Sequence, residues 1–388
     1  MNSKRLEKTY IAVAQNASGR NLNVPIYRIS DGLPGPKVYI QSSIHGAEVQ
    51  GNVVIYHLLN ALKHTHIAGE IVLVPNCNPV GTNIKAGEYT LGRFDPVNGT
   101  NWNRGYFYDE AKVDAFAADL PDEKITRALA AANKIELTSL KDEIKTQFRQ
   151  QWKKAIENKL DEPWGLGLAQ QLNLTLQKLA FDADLVLDLH NGPVSTRHIY
   201  IPEYAKTTAT EFSIPHCIFI PKVFAGALDE ACFCPWWTLQ DALKRRYQHH
   251  FDFGVQAFTL EMGSQEVIDF NEGAKDAEGI LGFLAKRGVL LNSQYKPAKM
   301  KRVGVNLTDY KTLFTDFGGM VEYCKKPGDL VKKGEVLAKV LNIDDLDNDN
   351  AIHHINAPCD LIPMLHFPSA SVLSGTQLYK CFTNYFEL

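Results

Sequence analysis

Short apolar runs rich in Val, Ile and Leu recur at residues 37–40, 71–74, 184–189 and 255–260, each closed by a polar residue or a glycine. A run of this length without polar alternation predicts a strand covered on both faces, as in a parallel sheet. Between the runs the period changes. Val49, Val53, Leu58, Leu59 and Leu62 fall near one face of a helix, and Ala277, Ile280, Leu281 and Leu284 repeat that spacing ahead of Gly288, a residue suited to stopping a helix. Strands alternating with helices predict an α/β sheet with helices on both faces. Residues 109–180 are charged and poor in β-branched runs, and Ile144, Phe148, Trp152, Ile156 and Leu160 recur at helical spacing. This predicts a helical insertion whose apolar stripe packs against the sheet domain. At residues 292–301 the chain becomes a polar, lysine-rich connector containing Pro297, where a domain boundary is expected. Beyond it, short segments punctuated by Gly318-Gly319, Pro327-Gly328, Gly334, Pro358, Pro368 and Gly375 predict a small all-β module.

The 388 residues fit two or three domains at roughly 150 residues each. With 45% hydrophobic and 22% charged residues, the chain has the usage of a globular protein. A net charge of -3 from 41 basic and 44 acidic residues, with no long block of one sign, argues against a nucleic-acid binder that tracks phosphates. Seven unevenly spaced cysteines make neither a disulfide framework nor a paired zinc module, so a reducing compartment is expected. The N-terminus is polar with no apolar segment behind it, and no run long enough to span a membrane occurs. A cytoplasmic location without membrane contact is the expectation.

His45 and Glu48 follow the first predicted strand and are expected to open the helix behind it, so that their side chains converge one helical turn apart. The spacing alone is weak. Twelve histidines and 44 acidic residues in 388 yield about 1.4 such pairs by chance, and the chain has two, the other being His249 with Asp252. Position separates them, because His45 lies at the carboxyl end of a predicted parallel strand, the rim where open α/β sheets bind ligands. His190 ends the third predicted strand and Glu261 the fourth, which brings three strand ends to one rim. Two imidazoles and a carboxylate form the three-ligand set of a catalytic zinc site, with a fourth position open to water. His45, Glu48 and His190 are the candidate ligands and Glu261 the candidate general base. Asp188 shares the His190 face of its strand, where it is placed to orient that imidazole or to cap a neighbouring helix.

The ordered set His45-Gly46-Ala47-Glu48, Asn103-Arg104, Asp188-Leu189-His190 and a strand ending in Glu261 resembles the succinylglutamate desuccinylase/aspartoacylase family, relatives of the zinc carboxypeptidases. The resemblance covers residues 37–288 apart from the insertion. It implies a zinc-carboxypeptidase-like α/β fold, a mixed, largely parallel sheet flanked by helices, in residues 1–295. It also implies zinc on His45, Glu48 and His190, Glu261 as the catalytic carboxylate, and a substrate carboxylate bound by Asn103 and Arg104. A guanidinium suits that task, since its fork donates two parallel charge-assisted hydrogen bonds to a carboxylate. The chain departs from the family pattern at Asn101-Trp102, where Asp-Leu is usual, and at Val80, where an arginine follows the Asn-Pro pair in aspartoacylase-like members. Arg93 is the candidate replacement cation for substrate binding and for the oxyanion, alongside Arg104, and Arg197 and His198 are further pocket candidates. Residues 300–388 are expected to form a C-terminal β-barrel domain, in which residues 319–340 and 355–378 are similar to the small biotinyl/lipoyl-like barrel-sandwich fold, with its Pro327-Gly328-Asp329 turn but no carrier lysine in the central hairpin.

These readings lead to an expected function: zinc-dependent hydrolysis of an amide in a small carboxylate-bearing substrate, of the N-acyl amino acid deacylase type. A metallocarboxypeptidase acting on a short peptide is the alternative, and a catalytically inactive binding protein a lesser one. One Zn2+ per chain and no nucleic-acid partner are expected, and homo-oligomer formation is left open. Acidic residues 342–350 read as a solvated hairpin ahead of a Ca2+ loop, lacking the EF-hand glycine and closing glutamate. Cys232, Cys234, Trp236 and Trp237 read as a buried or pocket-lining segment, and Lys244, Arg245 and Arg246 as a solvated helix face.

Overall fold

The computed structural model describes residues 5–131 and 134–388. Residues 1–4, on which part of the N-terminal reading rests, lie outside the described residues, as do residues 132–133 of the expected insertion. Ten strands form one sheet: β1 (Leu6–Gln15), β2 (Asn21–Ile29), β3 (Lys37–Ser42), β4 (Glu70–Val74), β5 (Leu185–Gly192), β6 (His198–Pro202), β7 (His216–Ile220), β8 (Gln256–Ser264), β9 (Val303–Asn306) and β10 (Phe386–Glu387). Their spatial order is β1-β2-β4-β3-β5-β8-β6-β7-β9-β10. The centre, β4-β3-β5-β8, is parallel throughout. Antiparallel pairs occur at β1-β2, β2-β4, β8-β6 and β9-β10. The sheet is therefore mixed and largely parallel.

Seven α-helices of eight residues or more are described: α1 (Gln50–Leu62), α2 (Glu110–Asp119), α3 (Asp122–Ala130), α4 (Lys134–Leu160), α5 (Leu168–Ala180), α6 (Leu228–Tyr247) and α7 (Phe270–Lys286). The central strands are apolar on both sides because both sides are covered. Val38, Ile40, Leu187 and Leu260 pack with α1 residues Val54 and Leu58 and α7 residues Ile280 and Leu284. Tyr39, Val186 and Ala257 pack with α5 residues Leu172 and Leu176 and α6 residues Leu228 and Phe233. Each fully buried Leu, Ile or Phe contributes roughly 1.5–3 kcal/mol, so this double burial is a large part of the driving force. On β5 the alternation places Leu187 and Leu189 on the first face. The intervening Asp188 and His190 therefore point to the second. Helix α7 ends at Lys286, and Gly288 takes a left-handed φ of 73° just beyond it, the stop expected from the sequence.

The insertion forms α2 to α5. The α4 stripe Ile144, Phe148, Trp152 and Ile156 is buried against Phe181 and Trp236, with the Phe148 and Trp236 rings 4.8 Å apart. The basic run at the end of α6 is tied to the same layer, since Arg246 pairs with Asp122 at 2.7 Å and Arg245 with Asp114 at 3.5 Å. Cys232, Cys234 and Trp236 are buried in α6.

C-terminal to β9, strands Tyr310–Phe314, Gln377–Phe382 and Ile362–His366 form one antiparallel sheet. Ile352–Asn356, Val336–Leu341, Gly319–Tyr323 and Ser371–Val372 form another. Leu337, Val340, Leu378 and Tyr379 are buried in the core between their strands. Strand pairing crosses the expected boundary in both directions. β9 and β10 join the large sheet, while Val194–Ser195, just after β5, pairs with Leu365 and His366. Among the described residues, no helix is long and apolar enough to cross a membrane.

Candidate active site

The chain leaves β3 through Ser43, which holds a left-handed φ of 64° and donates its hydroxyl to the Glu48 carbonyl at 2.9 Å. His45 and Glu48 were expected on the first turn of a helix. They lie instead in the turn before α1, which starts at Gln50. The amide N–H of Glu48 donates to the His45 carbonyl at 3.1 Å, and that turn bond makes the two side chains converge. Gly46 is required here, since its N–H donates to the Gly92 carbonyl at 2.7 Å and a Cβ on it would fall 2.1 Å from the Gly81 carbonyl carbon. His190 and Glu261 were expected to end their strands. Both strands continue, to Gly192 and Ser264, because these two residues pair again beyond a register irregularity that follows Glu261. His190 and Glu261 are register partners on adjacent strands.

His45 Nδ1 lies 2.9 Å from Glu48 Oε1, and His190 Nδ1 lies 2.8 Å from Glu48 Oε2. All three residues are buried, and their ligating atoms lie within 4.8 Å of one another. Two imidazole nitrogens aimed at one carboxylate could hold a metal ion, and the charges point the same way. Burial acts to raise the Glu48 pKa, but the His45 and His190 rings outweigh it and hold the carboxyl well below its usual range. Burial acts to lower that of His190, but the Asp188 and Glu48 carboxylates outweigh it and raise it well above an ordinary imidazole. The nest calls for positive charge, which fits a cation among these donors.

Asp188 takes the orienting role, accepting from His190 Nε2 at 2.9 Å and from Gln41 Nε2 at 2.9 Å, while Gln41 Oε1 accepts from the Tyr39 hydroxyl at 2.9 Å. Glu261 stands beside the nest with Oε2 buried and without a hydrogen-bond partner. Burial first, and the Glu48 carboxylate second, push its pKa up to about 7. A carboxyl poised there is suited to exchanging protons near neutral pH.

These groups open on a cleft of about 310 Å³ that also receives Arg93, Asn103, Arg104, Tyr200, Asp229, Thr259, Tyr310 and Lys380. Arg93 donates to Glu48 Oε1 at 3.1 Å. Asn103 is buried with its Oδ1 accepting from the Leu228 N–H at 3.2 Å, and Arg104 lies exposed at the mouth. Arg197 does not reach the cleft: its guanidinium is held by Asp276 at 2.6 Å and Glu272 at 2.9 Å, both on α7. His198 is buried outside the cleft lining, with Nδ1 donating to the Thr196 carbonyl at 2.9 Å. The Cys232 to Trp237 segment is also absent from the lining. Its helix contributes Asp229 and Glu230 from the first turn instead.

The sequence reading missed Tyr200, Asp229, Thr259, Tyr310 and Lys380. Tyr310 and Lys380 come from adjacent strands of the C-terminal sheet, with the Lys380 ammonium 5.1 Å from the Tyr310 ring centre. Burial, then the nearby Arg93, lower the Lys380 pKa. The one local sign of Lys380 is a lysine within a strand of buried residues, Gln377–Phe382.

The succinylglutamate desuccinylase/aspartoacylase catalytic-domain profile matches residues 34–287, about two thirds of the chain. This chain belongs to the succinylglutamate desuccinylase/aspartoacylase family. Within the family it is similar to a crystal structure from Shewanella frigidimarina assigned to the same group, at 40% identity and TM-score 0.91, covering 99% of this chain and 98% of that one. A family protein from Shewanella amazonensis is 41% identical with TM-score 0.91, covering 98% and 100%. A succinylglutamate desuccinylase/aspartoacylase structure from Rhodobacter sphaeroides, at 16% identity and TM-score 0.62 over 97% and 95%, shares the fold. No curated protein matches the chain.

Proposed function

We propose that the protein is a zinc-dependent amidohydrolase that deacylates small N-acyl amino acids or related carboxylate-bearing amides. The observation that carries this reading is the union, in one cleft, of three buried convergent ligands, an unpartnered carboxyl at Glu261 and a cluster of cations. His45, Glu48 and His190 would hold the metal, and a set of two nitrogens and one carboxylate suits zinc. When bound there, zinc supplies Lewis acidity that activates water and polarises a carbonyl. Glu261 takes the proton from the attacking water and returns it to the leaving amine, a task left open to it because its carboxyl beside the nest has no competing hydrogen-bond partner on Oε2. Arg104 and Lys380 receive the substrate carboxylate, and Arg93, at the edge of the ligand nest, faces the developing oxyanion.

The cleft volume of about 310 Å³ matches a small molecule, an N-acyl amino acid or a short peptide alike, so the carboxypeptidase stands as the second reading and substrate turnover separates the two. The test combines elemental analysis with amine release from a panel of N-acetyl, N-succinyl and longer N-acyl amino acids and C-terminal dipeptides. About one zinc per chain, lost in His190→Ala, together with turnover of the acyl amino acids is the expected result. Preferred cleavage of the dipeptides selects the carboxypeptidase. A folded chain that takes up no zinc and hydrolyses neither panel leaves only the binding protein.

A further inference from the structure

The two imidazoles of the ligand set are held from behind by different chemistry. His190 Nε2 meets the Asp188 carboxylate at 2.9 Å, whereas His45 Nε2 meets Asn101 Oδ1 at 2.8 Å. A second contact fixes the identity of that amide atom. The backbone N–H of Asn103 lies 2.9 Å from the same Oδ1, and a backbone amide can only donate, so the atom is the carbonyl oxygen. An amide oxygen can only accept. His45 must therefore carry its proton on Nε2, which leaves the Nδ1 lone pair directed at the ligand nest beside Glu48 Oε1, 2.9 Å away.

Asn101 also belongs to a segment that reaches the other two ligands. Arg93 Nη1 stands 3.1 Å from Glu48 Oε1, and Asn103 Nδ2 stands 3.3 Å from His190 Nε2. The Trp102 N–H donates to the Arg93 carbonyl at 3.2 Å and the Arg104 N–H to the Asn101 carbonyl at 3.0 Å, so the segment is one hydrogen-bonded unit. Residues 93–104 thus touch every member of the ligand set and present Arg104 to the cleft.

We infer that Asn101 is a positioning residue for the metal: it sets the tautomer and orientation of His45 through a neutral acceptor and so keeps the metal less tightly bound than a carboxylate at that position would. A carboxylate behind a ligating imidazole polarises the N–H and makes the opposite nitrogen a stronger donor, and such outer partners are worth about 10- to 100-fold in metal affinity. His190 has that support and His45 does not. The inference rests on the metal site proposed above.

The test is zinc affinity, measured on the full chain at fixed pH by competition with a chromogenic chelator, with thermal melting of each metal-free variant to establish that it folds. Asn101→Asp is isosteric, accepts both hydrogen bonds and adds charge. It is expected to bind zinc about tenfold more tightly. Asn101→Ser keeps a short oxygen for the Asn103 N–H but cannot span to the imidazole, and is expected to bind zinc about tenfold more weakly or worse. A residue that only shapes the turn would leave both affinities unchanged, since both variants preserve the turn bond. Either folded variant within about twofold of wild type therefore overturns the role of Asn101 while leaving the metal site standing. Wild type that folds and binds no zinc overturns the metal site itself and this role with it.

Discussion

The two sides of the cleft are built in different ways. On one, the turn after β3 and the neighbouring strands β5 and β8 bring His45, Glu48, His190 and Glu261 together, and Glu261 and His190 are register partners. On the other, Tyr310 and Lys380 arrive from the C-terminal sheet, held by strands that share no register with the first group. The difference teaches that the candidate ligands and Glu261 are placed by one local turn and one strand register, whereas Tyr310 and Lys380 are placed by how two sheets pack.

The largest effect tests the first side. Glu261→Gln is expected to lower kcat by about 10²- to 10⁴-fold while zinc content stays near wild type, read by steady-state kinetics and elemental analysis. Near-normal turnover would remove Glu261 from the chemistry. Lys380→Met probes the other side. Loss of a charge-assisted hydrogen bond of about 1.5–3 kcal/mol predicts a KM raised about tenfold or more with kcat nearly unchanged. A fall in kcat alone would mean that this wall takes part in the chemical step, and the distinction would collapse.

Arg197→Met sharpens the same boundary from outside the cleft. KM is expected to stay put while the stability falls by about 1–3 kcal/mol, because Asp276 loses the guanidinium that offsets its burial. Denaturant unfolding beside kinetics checks both halves. The smallest effect is linked to pH. The folded Glu261 pKa, about 7, stands above its ordinary 4.5. The folded state therefore retains a proton that the unfolded state releases, and metal-free wild type loses stability as pH rises from about 4.5 through 7. Metal-free Glu261→Gln lacks that loss and is expected to gain on wild type by on the order of 1 kcal/mol over the same window, measured by urea unfolding.

The first side was legible because it is local. Three of the central strands announce themselves as apolar runs followed by His45 and Glu48, by His190 and by Glu261, so the pattern alone brought these four residues to one rim, although the strands of His190 and Glu261 run on past them. Asp188 was legible from strand alternation. Asn101, Gln41 and Lys380 were not, because each owes its role to a partner far along the chain or on another sheet. The same blindness explains the misplaced candidates. Arg197 lies close to His190 in sequence, yet two carboxylates on α7 claim it. The aromatics of residues 232–237, expected to be buried or to line a pocket, meet the first half of that expectation: Phe233 and Trp236 are buried, Trp236 in the insertion's core, and none of the segment lines the cleft. The β1-β2 hairpin left no trace in the apolar runs because many of its residues are exposed or half-buried at the sheet's edge.

The exchange of strands between the two parts governs how the cleft can move. Val194–Ser195 is hydrogen-bonded into the C-terminal sheet, and β9 and β10 extend the large one, so the wall bearing Tyr310 and Lys380 is fastened at separate points. Swinging that wall as a rigid lid would break backbone hydrogen bonds at each fastening. What is left free to change without breaking that pairing is the set of long side chains at the mouth, half-exposed Arg93 and exposed Arg104, whose rotamers exchange far faster than a hinge opens.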